Sequence, residues 1–516
     1  MVTLLHQRRL CEHDNSTGSF TCFILKSESM PQETPPPSIE RRAFVGTSWL
    51  ALFRLVSQLF SWTVTILVAR RLEPSDYGLL EMAVIIPGYA LKLSELGLGP
   101  AIIQRSQTTQ DELSSVFWFG VFIALFLSAI CYGVAPLTVW LFNEPKLLVL
   151  TQAVSVLFLL QGLQVVPNTL LRKELDFKTL GQIEILAVII SSVTMLIIAK
   201  SGGGVWTLIF GFIALASAQL IFTFVTVKWL PRFHYSFNDV KPYLRFGFLV
   251  SVQGTMYYVY EKSDRFFAGR AWQPTTLGQY SLALQLAQLP TEKIVVLINH
   301  VSFPTFALLG SDRERLRNFY LRTVNICATL VFPLFVGGFL IGADLVQVLL
   351  SDKWAPIGRM FEYLCLAQIM VSLNAVNSFV HNAQGRASWS SLYFVACAIL
   401  VPLSFFLAVP YGLEAALIPW FTTYAVLSVS WIAITTRKIG ITPGVYLKGL
   451  SIPFAATLTM ATAIQLVSIL GGDYLNSLGQ LSSLIIKCGI GASTYIMFLW
   501  VFDKRIFNVL RTLRRT

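Results

Sequence analysis

Apolar segments long enough to cross a membrane follow one another along almost the whole chain. Fourteen of them can be marked off by charged residues or by Gly and Pro. A helix needs about 20 apolar residues to cross a hydrocarbon layer of roughly 30 Å, and inside lipid its backbone must satisfy its own hydrogen bonds. The sequence therefore predicts an all-α integral membrane protein. The predicted spans are 45–69, 77–103, 113–137, 147–171, 180–199, 205–227, 246–268, 277–301, 324–349, 357–380, 389–409, 413–436, 445–470 and 478–502.

The composition supports this fold class. Of the 516 residues, 55% are hydrophobic and 13% are charged, whereas about 25% are charged in an ordinary soluble domain. The net charge of +12 does not indicate a nucleic-acid partner, because Lys and Arg concentrate on the termini and on every second connection, as the positive-inside rule requires. We therefore expect both termini to be cytoplasmic.

A sequence repeat divides the chain into two halves. Window 69–83 reads ARRLEPSDYGLLEMA, and window 269–283, which lies 200 positions later, reads GRAWQPTTLGQYSLA. Each window follows one predicted span and leads into the next, and six spans separate the two starts. Both halves should therefore enter the membrane in the same direction, as parallel repeats of transporters do. The matched residues are Arg70 and Arg270, Pro74 and Pro274, Gly78 and Gly278, and Ala83 and Ala283.

The spans and the repeat predict the domain organisation. Residues 1–40 are expected to form a polar, disordered cytoplasmic tail, 41–228 and 229–436 two six-helix bundles, 437–502 two further membrane helices, and 503–516 a basic cytoplasmic tail. The sequence contains no GxxxxGK[ST] loop and no CxxC spacing. We therefore expect no bound nucleotide, no metal and no other cofactor.

Polar residues lie along one face of four predicted helices, which are spans one, two, seven and eight. A charge near the centre of a membrane helix costs about 2.5–3.5 kcal/mol on insertion scales, so such residues normally face a protein interior or a water-filled cavity. Spans one and two match spans seven and eight in the repeat, which predicts a cleft between the halves. The stripes contain Thr47, Arg54, Gln58, Ser61 and Thr65; Glu81, Gly88, Lys92 and Glu95; Gln253, Tyr257, Glu261, Asp264 and Arg265; and Ser281, Gln285, Gln288, Glu292 and Asn299.

Two groups of candidate site residues follow from these stripes. Arg54 stands out because no acidic residue lies within one turn of it, and a guanidinium group suits phosphate or carboxylate. The substrate-binding candidates are Arg54, Gln58, Lys92, Lys262, Arg265, Gln285 and Gln288. The carboxylates that could carry a coupled ion are Glu81, Glu95, Asp264 and Glu292.

The charged residues also allow simpler interpretations. Lys92 matches Glu292 in the repeat and could pair with it between the halves, but local pairs such as Lys92 with Glu95, Glu261 with Arg265 and Glu292 with Lys293 would neutralise the same charges.

Some residues at the ends of spans are expected to have simple membrane roles. Arg70 and Arg270 could anchor at lipid headgroups, and the predicted interfacial belt contains Trp140, Trp206, Trp229 and Trp354.

Several sequence strings, taken together, resemble a known family. Besides window 69–83 and Asp264 with Gly269 and Arg270, they are ELGLGPAIIQ (95–104), LLRKELDFKTLG (170–181), GGGVWTLIFG (202–211), LGQYSLALQLAQLP (277–290), FPTFALL (303–309) and SDKWAP (351–356). The chain resembles the polysaccharide transporters, or Wzx-type flippases, of the multidrug/oligosaccharidyl-lipid/polysaccharide (MOP) exporter superfamily. It is most similar to the subgroup for colanic-acid-like exopolysaccharides. The resemblance extends over about 41–502, and the polar tail before it departs from the family pattern.

The resemblance implies the MOP flippase fold, with two parallel-repeat six-helix bundles and two extra C-terminal helices. It implies a flippase that moves undecaprenyl-diphosphate-linked oligosaccharides across the bacterial cytoplasmic membrane by alternating access, for exopolysaccharide, capsule or O-antigen synthesis. No covalent bond would change. The implied partners are membrane lipid, an H⁺ or Na⁺ gradient, a polysaccharide polymerase and a chain-length regulator.

Two other functions fit parts of the sequence. An ion-coupled multidrug exporter of the same superfamily would also use a cleft between two halves, although the loop strings favour the polysaccharide group. A membrane polysaccharide polymerase, or a glycosyltransferase for lipid-linked sugars, would need catalytic residues on a large external loop. Every predicted outer loop is short, so we expect a protein that is not an enzyme.

Overall fold

The computed structural model describes residues 11–13, 20–22, 53, 56–94, 98–105, 108–174, 176–310, 312–471 and 477–502. At 11–13, 20–22, 91–94, 100, 104, 245–253, 300 and 387 it describes the backbone alone. The first-half helices are α1 (Val56–Ala69), α2 (Pro74–Ser94), α3 (Leu98–Gln104), α4 (Gln110–Phe142), α5 (Leu147–Lys173), α6 (Phe177–Lys200) and α7 (Trp206–Val227). The later helices are α8 (Phe237–Ala271), α9 (Pro274–Leu308), α10 (Arg313–Leu350), α11 (Ile357–Ala383), α12 (Ala387–Ala408), α13 (Ile418–Phe421), α14 (Thr423–Ile439), α15 (Pro443–Leu470) and α16 (Gln480–Phe502). Short 3₁₀ turns occupy Asp352–Trp354, Val409–Tyr411 and Ala415–Leu417.

The helical membrane fold is confirmed. Within the described part of the chain, 11 helical stretches are long and apolar enough to cross a membrane. Helix α1 is apolar but shorter, and α2 and α8, which contain the charged stripes, are not among the 11. A helix lies at each predicted span, but the number of crossings, fourteen, stays a prediction.

Some boundaries differ from the predicted ones. Helices α4, α8 and α10 begin before the apolar spans, because polar residues at their starts continue the helix outside the hydrophobic stretch. Two of these starts are capped by side chains that accept from backbone N–H groups in the first turn: Thr109 caps α4 in a capping box with Glu112, and Asp312 caps α10. Such caps satisfy donors that a helix start leaves unpaired.

Outside the helices, the structure describes one short antiparallel strand pair, Cys11–His13 with Phe20–Cys22. It lies within the predicted polar tail. The other residues of 1–40, and the predicted basic tail 503–516, fall outside the described ranges. The predicted domain boundaries therefore stay predictions.

The two halves meet where the repeated sequence windows begin α2 and α9. Pro74 is the first residue of α2 and Pro274 the first of α9, a position where the missing N–H of proline costs no helical hydrogen bond. One turn later, a Cβ atom at Gly78 would collide with the carbonyl oxygen of Pro274, and a Cβ atom at Gly278 with that of Pro74. Only glycine allows this mutual backbone approach, which we call the glycine junction. The two copies of the repeat therefore contact each other in the structure.

Three further helices fit around this arrangement. Helix α8, the first of the second half, packs against α2 and α12, while its first turns also contact α4. Helices α15 and α16 pack against each other and against α10. The last two helices, which have no counterpart in the repeat, therefore pack on a helix of the second half.

We expect Gly78→Leu to lower the thermal stability of the purified protein, because its side chain must displace backbone at the glycine junction, and overpacking costs typically about 1–3 kcal/mol. The matched control is Gly133→Leu on α4, where a Cβ atom meets nothing within 4 Å. A thermal-shift assay in detergent measures both variants. Equal melting temperatures for Gly78→Leu and Gly133→Leu would contradict a close junction.

Candidate functional site

Charged residues from the two halves meet between α2 and α8. Glu81 on α2 lies 3.5 Å from Nζ of Lys262 and 3.7 Å from Nη1 of Arg265, both on α8. The side chain of Arg265 is 6% exposed, and those of Lys262 and Glu81 are 16% and 19% exposed. The contact is therefore buried at Arg265 and partly accessible at Lys262 and Glu81. Such pairs interact more strongly than surface pairs, because the local dielectric constant is lower.

Asp264 contacts Arg265 from within α8 and connects it to other helices of the second half. Its Oδ1 atom lies 3.5 Å from Nε of Arg265 and accepts a 2.7 Å hydrogen bond from the Arg265 backbone N–H. The hydroxyl of Tyr280 on α9 donates to Oδ2 over 2.8 Å, and the indole N–H of Trp420 on α13 donates to that hydroxyl over 3.2 Å. Both carboxylate oxygens of Asp264 are thus satisfied. We call Glu81, Lys262, Asp264, Arg265 and Tyr280 the charge cluster.

Arg265 has donors that its protein partners do not use. Its buried Nε and Nη2 atoms have no hydrogen-bond acceptor among the described residues. A buried donor left without an acceptor costs about 1–3 kcal/mol. The guanidinium group can form paired hydrogen bonds with a planar or tetrahedral oxyanion. An acceptor atom of an anionic ligand, or of an ordered water, would satisfy these donors.

Part of the polar stripe of α9 points away from the core of the second half. Gln285 and Glu292 are exposed and Gln288 is half-buried, whereas Ser281, at the start of the stripe, is buried. Thr291, on another face of the helix, is buried and donates a 3.1 Å hydrogen bond to Gln368 on α11. Gln285 and Glu292 are therefore accessible from outside the helix bundle, and the cleft that they are expected to line stays a prediction.

Glu292 belongs electrostatically to the same region as the charge cluster. It interacts with Lys262 and Arg265, with its neighbour Lys293, and with Glu261. The seven ionised side chains described here comprise four carboxylates and three cations. Their members are Glu81, Glu261, Asp264 and Glu292, and Lys262, Arg265 and Lys293.

Some predicted site residues are not described in full. Arg54 and Glu95 fall outside the described residues, and at Lys92 the structure describes the backbone alone. The predicted pairing of Lys92 with Glu292 therefore stays a prediction. Gln58 is half-buried on α1. Of the predicted site residues, the structure brings Glu81, Lys262, Asp264 and Arg265 into direct contact.

Sequence reasoning missed Tyr280 and Trp420. Tyr280 lies inside the second repeat window, but its counterpart in the first window is Leu80, so the repeat gave no reason to single it out. Trp420 follows Pro419 in a segment that reads as one apolar span, whereas the structure divides it between α13 and α14. The nearest available signal was the buried Asp264, which requires hydrogen-bond donors from other helices.

Two residues beside the glycine junction form hydrogen bonds with backbone carbonyl groups of the opposite half. Trp354 is fully buried and donates a 2.9 Å hydrogen bond to the carbonyl oxygen of Ala69. Its prediction as a membrane-belt residue is wrong, because its indole ring fills the contact between the end of α1 and the second half. Arg70 donates to the carbonyl oxygens of Leu349 and Val348 over 2.6 and 2.7 Å. These bonds satisfy carbonyl groups that the end of α10 leaves without helical partners.

An apolar cavity of about 630 Å³ lies between the first half and the last two helices. Trp62 and Ile66 of α1 line one side, Pro290 of α9 another, and Cys488 and Tyr495 of α16 a third. Residues of α10, α11 and α15 complete the lining. We call this cavity the apolar groove. It can take an alkyl or isoprenoid chain, since its walls are almost entirely hydrocarbon.

The fold and the buried charge cluster define a multi-pass membrane protein of the MOP superfamily fold. The chain is similar to the lipid II flippase MurJ in an inward closed conformation, with a TM-score of 0.71 and 14% identity over 89% of this chain and 99% of that chain. It is also similar to an inward-facing multidrug resistance MATE transporter of the MOP superfamily, with a TM-score of 0.57 and 15% identity over 76% of this chain and 98% of that chain. At such identities the likeness shows the fold alone.

The sequence model of the family described as "Polysaccharide biosynthesis protein" matches residues 67–359. Because this match covers more than half of the chain, the protein belongs to that family, and the resemblance inferred from the sequence is confirmed.

Relatives in three bacteria have similar sequences. An uncharacterized membrane protein in the cps region of Klebsiella pneumoniae is 25% identical over 485 residues, which cover 93% of this chain and 99% of the relative. The lipopolysaccharide biosynthesis protein WzxC of Escherichia coli is 26% identical over 352 residues, covering 66% of this chain and 70% of WzxC. The succinoglycan biosynthesis transport protein ExoT of Rhizobium meliloti is 24% identical over 481 residues, covering 91% of this chain and 95% of ExoT.

The contact between Glu81 and Lys262 predicts an energetic coupling between the halves. We expect a double-mutant cycle with Glu81→Gln and Lys262→Gln to give a coupling energy of about 0.5–3 kcal/mol in denaturation of the detergent-solubilised protein. The matched control is the exposed pair Arg315 and Asp312, 3.2 Å apart, for which surface pairs predict about 0–1 kcal/mol. Additive effects at Glu81 and Lys262 would show that the two residues do not interact.

Proposed function

We propose that this protein is a flippase for undecaprenyl-diphosphate-linked oligosaccharides. It moves the lipid-linked sugar from the inner to the outer leaflet of the bacterial cytoplasmic membrane, without making or breaking a covalent bond. The single observation that carries the proposal is the charge cluster shared by the two halves, which contains a buried guanidinium with unused donors. The family and the relatives concerned with polysaccharide biosynthesis support it.

The chemistry of such a substrate explains why the site needs both charge and apolar surface. A diphosphate cannot cross hydrocarbon without losing its hydration, which costs several kcal/mol or more for each charge. We assign binding of the diphosphate to Arg265 and Lys262, with Arg54 and Lys92 as further cations. Gln285 and Gln288 supply amide donors and acceptors for sugar hydroxyl groups.

The isoprenoid tail of the substrate needs a different environment. We assign it to the apolar groove, whose lining from α1, α9 and α16 lies beside the junction of the halves. Burying apolar surface there contributes roughly 25 cal/mol per Å². The tail would thus stay in hydrocarbon while the head passes between the halves.

Glu81 gives the alternation of the halves a physical basis. Glu81 lies on α2 and its partners lie on α8. Separating these two helices would therefore remove the Glu81 carboxylate from the Lys262 and Arg265 cations. Breaking a buried ion pair is costly, about 3–5 kcal/mol when one partner is removed. The substrate diphosphate can replace the carboxylate, so that binding favours separation. Glu81, Glu95, Asp264 and Glu292 are the candidates for coupling this step to an H⁺ or Na⁺ gradient.

The proposed orientation places both termini in the cytoplasm, from the distribution of Lys and Arg over the loops. The glycine junction then closes the outer end of the cleft. A polysaccharide polymerase and a chain-length regulator would receive the flipped sugar on the outer side.

A second candidate function is an ion-coupled multidrug exporter. Among the side chains that the structure describes, the excess of four carboxylates over three cations around the charge cluster favours a cationic ligand. The unused donors of Arg265 favour an anion, and the family match is to polysaccharide biosynthesis.

Reconstitution of the purified protein into liposomes tests these functions directly. We expect a fluorescent undecaprenyl-diphosphate-linked oligosaccharide to become accessible to an external quencher or enzyme from both leaflets, with its chemical structure unchanged. Chain growth of the oligosaccharide would indicate a polymerase. Transport of an amphipathic cation without movement of the lipid-linked sugar would indicate the multidrug exporter.

Lys262→Gln and Arg54→Ala should each reduce flipping about tenfold or more, because hydrogen bonds to charged groups contribute about 1.5–3 kcal/mol. The protein level in the membrane should not change. Lys241→Gln, an exposed position at the start of α8, is the matched control and should flip normally. Wild-type flipping by Lys262→Gln would remove this residue from the proposed site.

Cys488 allows the apolar groove to be tested chemically. It is exposed and lines the groove, whereas Cys131, Cys327, Cys365 and Cys397 are buried. A bulky maleimide should attach to Cys488, occupy the space proposed for the tail and inhibit flipping. The Cys488→Ser variant should flip normally and resist the reagent. If the reagent inhibits both proteins equally, the tail does not depend on this part of the groove.

A further inference from the structure

A polar cavity adjoins the apolar groove at the end of the molecule that contains the glycine junction. Its volume is about 660 Å³. We call it the polar chamber, and its lining consists of Arg70, Gln347, Val348, Leu349, Ser351, Asp352, Gln480 and Leu481. Leu349 lines both cavities. A molecule with a polar head and an apolar chain can therefore occupy the two together.

The helices that form the apolar groove also lead into the polar chamber. On α1, groove-lining Ile66 precedes Arg70 by about one helical turn, and on α16, chamber-lining Gln480 precedes groove-lining Cys488 by about two. On α10, the lining of the two cavities overlaps in the last turn, where Leu349 and Leu350 still line the groove and Gln347 lines the chamber. The two cavities thus share the same three helices, and they meet at the end of α10.

The charges of the polar chamber indicate the chemistry of its occupant. Arg70 is its basic side chain and Asp352 its acidic one. The two bonds from Arg70 to the end of α10 use two of the five guanidinium N–H groups. Asp352 accepts one hydrogen bond from Gln347, over 3.1 Å, and a carboxylate has further lone pairs. The chamber therefore offers donors for a phosphate and an acceptor for an ammonium group.

We propose that the polar chamber and the apolar groove together bind a zwitterionic phospholipid with a primary ammonium group, of the phosphatidylethanolamine type. Arg70 and Gln480 bind the phosphate, Asp352 binds the ammonium group, and an acyl chain lies in the groove. A diphosphate suits this chamber less well, because Asp352 repels a second negative charge. With the orientation proposed above, this lipid belongs to the outer leaflet and leaves the groove when an isoprenoid tail enters.

Native mass spectrometry of the full-length protein tests this site independently of flipping. The probe is an equimolar mixture of phosphatidylethanolamine, phosphatidylcholine and phosphatidylglycerol with identical acyl chains, added to the protein in a mild detergent. We expect retention of phosphatidylethanolamine about tenfold above the other two, since only its head can donate N–H bonds to Asp352. Equal retention of all three lipids would overturn the proposal.

Variants of the chamber distinguish its two charges. Asp352→Asn should remove the preference for phosphatidylethanolamine over phosphatidylcholine, and Arg70→Gln should weaken retention of all three lipids. Arg270→Gln is the matched control, because Arg270 has the same place in the repeat, is exposed and does not line the chamber. An equal loss in Arg270→Gln would overturn the assignment to Arg70.

Loss of the bonds from Arg70 to α10 could itself disturb the fold, so a second variant is needed. Gln480 is exposed at the start of α16, and Gln480→Glu adds a negative charge without removing a helix cap. It should lower phospholipid retention while leaving the melting temperature unchanged. Unchanged retention in Gln480→Glu, or preferential retention of an undecaprenyl diphosphate over phosphatidylethanolamine, would overturn the proposal. Because no flipping is measured, its failure is separate from failure of the proposed function.

Discussion

The close approach of α2 and α9 at Gly78 and Gly278 is the contact on which the rest of the structure depends. Each glycine lies against the carbonyl oxygen that begins the other helix, so any side chain there would force the two halves apart. The short separation brings the end of α1 against α10, where Arg70 and Trp354 form hydrogen bonds with the opposite half. Backbone contact therefore makes possible the side-chain contacts around it.

The same contact also accounts for the charge cluster. Glu81 lies on α2 less than one turn after Gly78. The position of α2 at the glycine junction therefore fixes how closely the Glu81 carboxylate approaches α8. Asp264, which contacts Arg265, accepts a hydrogen bond from Tyr280, two residues after Gly278. Both glycines therefore lie close in sequence to residues of the charge cluster, so the glycine junction and the ionic contacts form one connected structure.

The sequence predicted the membrane helices, the two halves and the family, because hydropathy and the repeat can be read directly from the order of the residues, without knowledge of their contacts. It also identified Glu81, Lys262, Asp264 and Arg265, since charges are costly inside a membrane and must have partners. It did not identify which charges meet. The contacts of Glu81 with Lys262 and Arg265 were not predicted, because helix rotation, and not sequence offset, decides which side chains face each other; the pairing of Lys92 with Glu292 stays a prediction.

Trp354 and Tyr280 show the limit of sequence reasoning for uncharged residues. An isolated Trp at the end of a span and a Tyr inside a span have unremarkable patterns, and their roles depend on groups of other helices: the Ala69 carbonyl, 285 residues before Trp354, and the Asp264 carboxylate on the helix before Tyr280. Both satisfy polar groups that would otherwise be buried without partners, at a cost of about 1–3 kcal/mol each. Trp354 thus joins the two halves, and Tyr280 joins α9 to α8 within the second half, without adding a charge. A transporter needs this combination, because neutral hydrogen bonds can be exchanged for water as a cleft opens, whereas the ionic contacts require a ligand to take their place.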